Sequence, residues 1–207
     1  MGYHRAGFNV TGVDLSPQPN YPFAFVQSDA IQYLAEHGSE YDAIHASPPC
    51  QAFTQMSARW RGRGGKADEH QDLLTPIRAL LASSRVPYII ENVMGARRKM
   101  GTTFTLHGGM FGLGVHRPRL FESNVLIFTR DAGKAEDPVG VYGRMDGRRL
   151  STRADGTEQR NAKTLAEASA AMGIDWMTWD ELREAIPPAY TEFIGRQLLA
   201  ACFPRLT

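Results

Sequence analysis

A chain of 207 residues is long enough for one domain with a small appendage, and too short for two independent domains of ordinary size. Its 23 basic and 22 acidic side chains leave a formal net charge of +1, so no global field draws it to a polyanion or an anionic membrane. Only two cysteines, Cys50 and Cys202, and no apolar run as long as a membrane span or signal peptide point to a reducing, cytoplasmic compartment.

In chain order, FNVTGVDL (8 to 15), FAFVQSD (23 to 29), YDAIHASPP (41 to 49) and VPYIIENV (86 to 93) cluster branched and aromatic residues between turn formers, as buried strands do. AIQYLAEHG (30 to 38) and the stretch from Asp68 to Ser84 have helical spacing, with Thr75 and Pro76 suited to an N-cap and first turn. Alternation of this kind predicts a parallel sheet with helices on its faces, an α/β fold. From Gly95 to Arg160 the pattern loosens into glycine-rich and basic segments with short β-like runs at 120 to 128 and 139 to 143. Thr164 with Glu167, and Thr178 with Glu181, fit the capping box, and a last helix enters through Pro187 and Pro188. Cys202, on the apolar face of that helix, reads as a small buried hydrophobe.

Ligands of doubly wound sheets bind beyond the carboxyl ends of the strands. Here those ends carry Asp14, Asp29, the run Pro48, Pro49 and Cys50, and the pair Glu91 and Asn92. Acids at two successive strand ends suit ribose hydroxyls and an adenine amino group, although each alone also suits a turn or a helix cap. The proline pair forbids helix and holds the Cys50 thiol at a strand-to-loop transition. A cysteine there is either a nucleophile or a packing residue, and Glu91 on a neighbouring strand, as a proton donor, favours the nucleophile. Downstream, QAFTQMSARWRGRGGK holds Arg59, Arg61, Arg63 and Lys66 with no acid, and suits a lid over a phosphate backbone. Arg144, Arg148, Arg149 and Arg153 form a second basic set, and Arg97, Arg98 and Lys99 a third.

PPCQ (48 to 51), ENV (91 to 93) and the pair Arg117 and Arg119 in VHRPRLFES occur in the order seen in the DNA cytosine-5 methyltransferases, which the chain resembles. GVDLSPQ and QSDA look like that family's two acidic cofactor motifs, KTLAEASAAMGI like its penultimate motif and AIPPAYTEFIGRQL like its last. The resemblance implies a Rossmann-like S-adenosylmethionine-dependent methyltransferase sheet over residues 1 to 119, a small target-recognition lobe over 120 to 160, and helices over 161 to 207 that return to the catalytic domain. It also implies S-adenosyl-L-methionine as cofactor, held through Asp14, Leu15, Asp29 and Ala30, and double-stranded DNA as partner, met by Gln51, Arg59, Arg61, Arg63, Arg148 and Arg149. A monomer without metal or membrane attachment is expected.

In the mechanism so implied, a cytosine is flipped out of the duplex, Cys50 adds to its carbon 6, Glu91 holds and protonates the ring nitrogen, and Arg119, supported by Arg117, binds the carbonyl. The chain departs from the family pattern at three places. It opens at MGYHRAGF, in the position of the helix after the family's first strand and glycine-rich loop of form DLFCGAGG, so two strands are expected to lack a shared neighbour. Arg183 and Glu184 stand where glycine and asparagine are usual, and Val115 where glutamine is. A truncated, catalytically silent relative that binds nucleic acid or protein is the alternative, and a cysteine hydrolase would need His45 as base.

Overall fold

The computed structural model describes residues 1–49, 72–129, 133, 137–152 and 158–202. Helix α1 (Gly2–Ala6) leads into β1 (Thr11–Asp14) and β2 (Ala24–Gln27), which pair in parallel. Next come α2 (Ala30–His37), β3 (Ile44–Ala46), α3 (Leu74–Ser84) and β4 (Tyr88–Asn92), with β3 and β4 also parallel. β5 (Thr103–Leu106) and β6 (Arg119–Ser123) complete a mixed four-stranded sheet of order β3-β4-β6-β5, in which β6 runs antiparallel to both its neighbours. Residues 120 to 123, grouped above with the small lobe, are thus an inner strand of this sheet. Among the described residues β1 pairs only with β2, and β3 only with β4, so each of these two strands has one unpaired side.

β4 is buried along its whole length, which is why VPYIIENV reads as a nearly continuous apolar run. Alternation sends Tyr88 and Ile90 to one face, where they join Leu74, Ile77 and Leu81 of α3 and Leu120 of β6. Ile89 and Phe121 go to the other face, against Tyr190, Ile194 and Leu198 of α6 (Pro188–Cys202), with Tyr3 and Phe8 beside them. Truncating Ile89 or Ile90 to alanine in so dense a core costs about 2–5 kcal/mol. α2 lies on the first face, its Ile31 and Leu34 packing against the same cluster as Ile44 and Ala46.

A second core holds the small lobe together. β7 (Val139–Gly140), β8 (Arg149–Thr152) and β9 (Glu158–Asn161) form a sheet of order β7-β9-β8. Val115, Val139 and Val141 pack with Ala168 and Met172 of α4 (Leu165–Met172) and Leu182 of α5 (Trp179–Glu184). The carboxyl-terminal segment therefore divides: α4 and α5 cover the lobe, and α6 covers the main sheet.

Helix starts follow local chemistry, with one correction. Thr178 and Glu181 make the full reciprocal capping box at α5. At α4 Thr164 Oγ1 accepts from the Glu167 amide at 3.1 Å, while the Glu167 carboxylate turns to the Lys163 amide at 2.7 Å. Thr75 is not the cap of α3; Asp72 Oδ1 accepts from the amides of Leu74 and Thr75 at 3.1 and 3.3 Å, because a carboxylate placed a turn earlier meets both orphan donors. Cys202 is half-buried rather than fully enclosed, and its thiol pKa is still pushed up by desolvation. Among the described residues no helix is long and apolar enough to cross a membrane.

Candidate active site

The ends of β3 and β4 meet at one edge of the sheet because the two strands are parallel. Asn92 Nδ2 donates to the Pro48 carbonyl at 3.0 Å, fixing the proline pair to β4. Cys50 and the basic segment containing Gln51, Arg59, Arg61 and Arg63 lie outside the described residues.

Next to Asn92, Glu91 is 7% exposed and its Oε1 lies 2.9 Å from Nε of Arg119, itself 9% exposed. The antiparallel pairing of β4 with β6 produces this contact, since Glu91 stands opposite Phe121 and Asn92 opposite Leu120. Burial pushes the Glu91 pKa up, against the opposing pull of Arg119, a hydrogen bond from Ser47 and the more distant Arg117. A carboxyl in that balance can change protonation state when a ligand alters either side of it.

Arg117 behaves differently from Arg119. It is fully buried, with Nε donating to Ala185 O at 2.7 Å, Nη1 to Val141 O at 3.2 Å and Nη2 to Arg183 O at 2.5 Å. Its guanidinium also lies 5.5 Å from the centre of the Tyr142 ring. Desolvation, with Arg119 nearby, brings its pKa down to about 10. A positive φ of 35° at Arg117 turns the backbone so that the side chain points into the junction with the lobe. Tyr190, not singled out from the sequence, donates to the Arg117 carbonyl at 3.0 Å and holds the same turn.

His45 has both ring nitrogens engaged, Nδ1 with Tyr3 Oη at 2.8 Å and Nε2 with Ser47 Oγ at 3.0 Å. Burial lowers its pKa to about 4. It therefore lacks a free nitrogen to serve as the base of a cysteine hydrolase. Tyr3 and Ser47 were not identified from the sequence; the one available signal was the two-residue spacing of His45 and Ser47 on a strand.

On the two-stranded sheet, Asp14 ends β1 and accepts from the Ser16 amide at 2.8 Å, while Asp29 lies two residues past β2 and caps α2 through the amides of Ile31 and Gln32 at 2.8 and 3.0 Å. All three bonds end on Oδ1. Leu15, 70% exposed, and Ala30, also exposed, adjoin the two acids. In the lobe Arg144 and Arg148 are exposed, and Arg149 stands in β8. Among the described residues no cluster of His, Cys, Asp and Glu is arranged to hold a metal ion.

Parallel β-α units and an antiparallel strand, β6, inserted beside them make up a Rossmann-like fold. A candidate DNA modification methyltransferase encoded within a prophage (E. coli) superposes with a TM-score of 0.60 over 97% of this chain and 94% of that one, at 15% identity. A triple mutant of Spodoptera frugiperda DNMT2 superposes with a TM-score of 0.53 over 98% and 96%, at 14% identity. The likeness at these identities is one of fold. The chain matches no protein-family model and no curated protein.

Proposed function

We propose that the chain is a DNA (cytosine-5) methyltransferase, transferring a methyl group from S-adenosylmethionine to carbon 5 of a flipped cytosine through a covalent Cys50 adduct. The carrying observation is the buried pair of Glu91 and Arg119, set at the same sheet end as the proline pair that leads into Cys50. The fold shared with two methyltransferase structures supports the reading.

The strand-end acids fit the adenosine part of the cofactor. With Oδ1 of Asp14 and of Asp29 engaged, each Oδ2 carries no hydrogen bond among the described residues and can accept from a hydroxyl or amino group, and exposed Leu15 offers apolar surface to a flat base. When bound, S-adenosylmethionine supplies a methyl group on a positively charged sulfur.

Cys50, as thiolate, forms a bond to carbon 6 of the cytosine, and its electron pair is relayed to carbon 5. Glu91 holds ring nitrogen 3 and gives it a proton, so that the ring does not carry the added charge. Arg119 keeps the Glu91 carboxyl in place through Nε and offers its remaining N–H groups to the base carbonyl. Arg117, enclosed by three backbone carbonyls, supports the turn from which Arg119 projects and does not meet the base. Once carbon 5 carries the methyl group, its proton leaves to a base, the carbon 5 to carbon 6 double bond re-forms, the thiolate departs and Glu91 recovers its proton. Arg144 and Arg148, exposed on the lobe, contact phosphates of double-stranded DNA.

Among the described residues β1 and β3 each have an unpaired side, which favours one other reading, a catalytically silent relative that binds nucleic acid or protein. DNA containing 5-fluorocytosine separates the two. Fluorine replaces the proton that must leave, so with S-adenosylmethionine present the enzyme forms a stable covalent complex, and Cys50→Ser forms none. Absence of an adduct with the unaltered protein, under conditions where it binds both DNA and cofactor, sinks the catalytic reading.

A further inference from the structure

β3 and β4 run in register with Ile44 opposite Tyr88, His45 opposite Ile89 and Ala46 opposite Ile90. Strand periodicity then places His45 and Ser47 on the face that carries Ile89 and Glu91. A line of polar side chains crosses this face. Tyr3 Oη in α1 meets His45 Nδ1 at 2.8 Å and His45 Nε2 meets Ser47 Oγ at 3.0 Å. Ser47, one residue past the Ala46–Ile90 pair, stands beside Glu91, whose ionised carboxyl its hydroxyl favours and which Arg119 holds from the other side.

The direction of every hydrogen in this line follows from the state of Glu91. An ionised carboxyl only accepts, so Ser47 donates to it and Ser47 Oγ accepts from Nε2–H of His45. His45, neutral because burial lowers its pKa to about 4, then presents Nδ1 as an acceptor to the Tyr3 hydroxyl. Burial drives the Tyr3 pKa upward, so that hydroxyl keeps its proton. A protonated Glu91 reverses the whole line: its O–H donates to Ser47, Ser47 to Nε2, and Nδ1–H to Tyr3. Two states, each with every hydrogen bond made, are thereby linked to one proton on Glu91.

We infer that Tyr3, His45 and Ser47 form a positioning relay that sets the balance between the ionised and protonated forms of Glu91. This role rests on the reading of Glu91 as the group that holds the ring nitrogen of the target base. The groups facing Glu91 are Arg119 from β6, Arg117 from the turn before it and Ser47 from the end of β3. The two arginines only attract the ionised carboxyl, while the relay is the neighbour that can reverse its polarity.

The test titrates the folded protein, with 13C-labelled glutamate carboxyls and 15N-labelled histidine, in the absence of DNA and cofactor. The Glu91 signal is assigned by its loss in Glu91→Gln. Ser47→Ala, at an exposed position, raises the Glu91 midpoint by about one pH unit because the ionised form loses a donor; Ser47→Thr restores it, and Tyr3→Phe raises it by less. His45 shows the Nε2–H tautomer above that midpoint and the Nδ1–H tautomer below it. An unchanged midpoint in Ser47→Ala, or one His45 tautomer throughout, overturns the relay. These readouts need no turnover, so a relay that responds as stated in a protein that forms no 5-fluorocytosine adduct refutes the methyltransferase reading and leaves the relay standing.

Discussion

Asn92 Nδ2 lies 3.0 Å from the carbonyl oxygen of buried Pro48, and through that bond the last residue of β4 fixes the proline pair after β3. Asn92→Ala leaves the Pro48 carbonyl without its donor. The expected loss is about 1–3 kcal/mol in urea unfolding. If the pair positions Cys50 as proposed, methyl transfer falls by a larger factor than the loss of folded protein explains. A variant that keeps full specific activity would show that the bond is structural alone.

Arg117 and Arg119, two residues apart, are expected to separate in their effects. Arg117→Met strips the carbonyls of Val141, Arg183 and Ala185 of a shared donor and loosens the seam between sheet and lobe, costing about 3–5 kcal/mol. Arg119→Ala costs less stability and more turnover, since Glu91 loses its partner and the base its carbonyl contact. Urea unfolding and single-turnover methylation measure the two quantities on each variant, and equal losses of both in the two variants would count against the division of labour.

The pKa of His45, about 4 in the folded chain, is below the ordinary histidine value of about 6.5. The unfolded state therefore binds the proton more tightly, and the stabilising contribution of neutral His45 is present above about pH 6.5 and lost as pH falls towards 4. Glu91 has the opposite sign: its raised pKa contributes stability below the ordinary carboxylate range, lost as pH rises through its folded value. His45→Gln should flatten the acid limb of the unfolding profile by on the order of 3 kcal/mol, and Glu91→Gln should flatten the limb above it. Unaltered pH profiles in both variants would contradict the assigned directions.

Asp29 has a cap role and a proposed ligand role, which asparagine separates from alanine. Asp29→Ala destabilises α2 by about 1 kcal/mol, whereas Asp29→Asn keeps an oxygen for the amides of Ile31 and Gln32. If Oδ2 accepts from the cofactor, both variants weaken S-adenosylmethionine binding in calorimetry. Weakening by Asp29→Ala alone would reduce the residue to a helix cap.

Phosphate contact by the lobe predicts a salt signature. Arg148→Ala should weaken binding to unrelated duplexes alike and lower the slope of log K against log salt by about one. A loss confined to one DNA sequence would assign Arg148 to base readout instead.

The strands at 11 to 14, 24 to 27, 44 to 46 and 88 to 92, the helices between them, the box of Thr178 and Glu181 and the placing of Pro48 and Pro49 and of Glu91 and Asn92 at strand ends were all legible in the sequence. Each depends on residues a few positions apart, whose propensities and side-chain reach act locally. Tertiary structure alone decided the rest. β6 lies between β4 and β5 because its two faces, Leu120 and Phe121, are buried only in an inner position. Arg117 is buried while Arg119 faces Glu91, a difference made by a positive φ and by carbonyls supplied from residues 141, 183 and 185. His45 joins Tyr3 to Ser47 and Glu91 because α1 packs over the face that the β3 and β4 register selects, bringing together side chains 42 residues apart in the chain. Such contacts follow from which surfaces must be buried together, a condition on the whole chain that no short stretch of it contains.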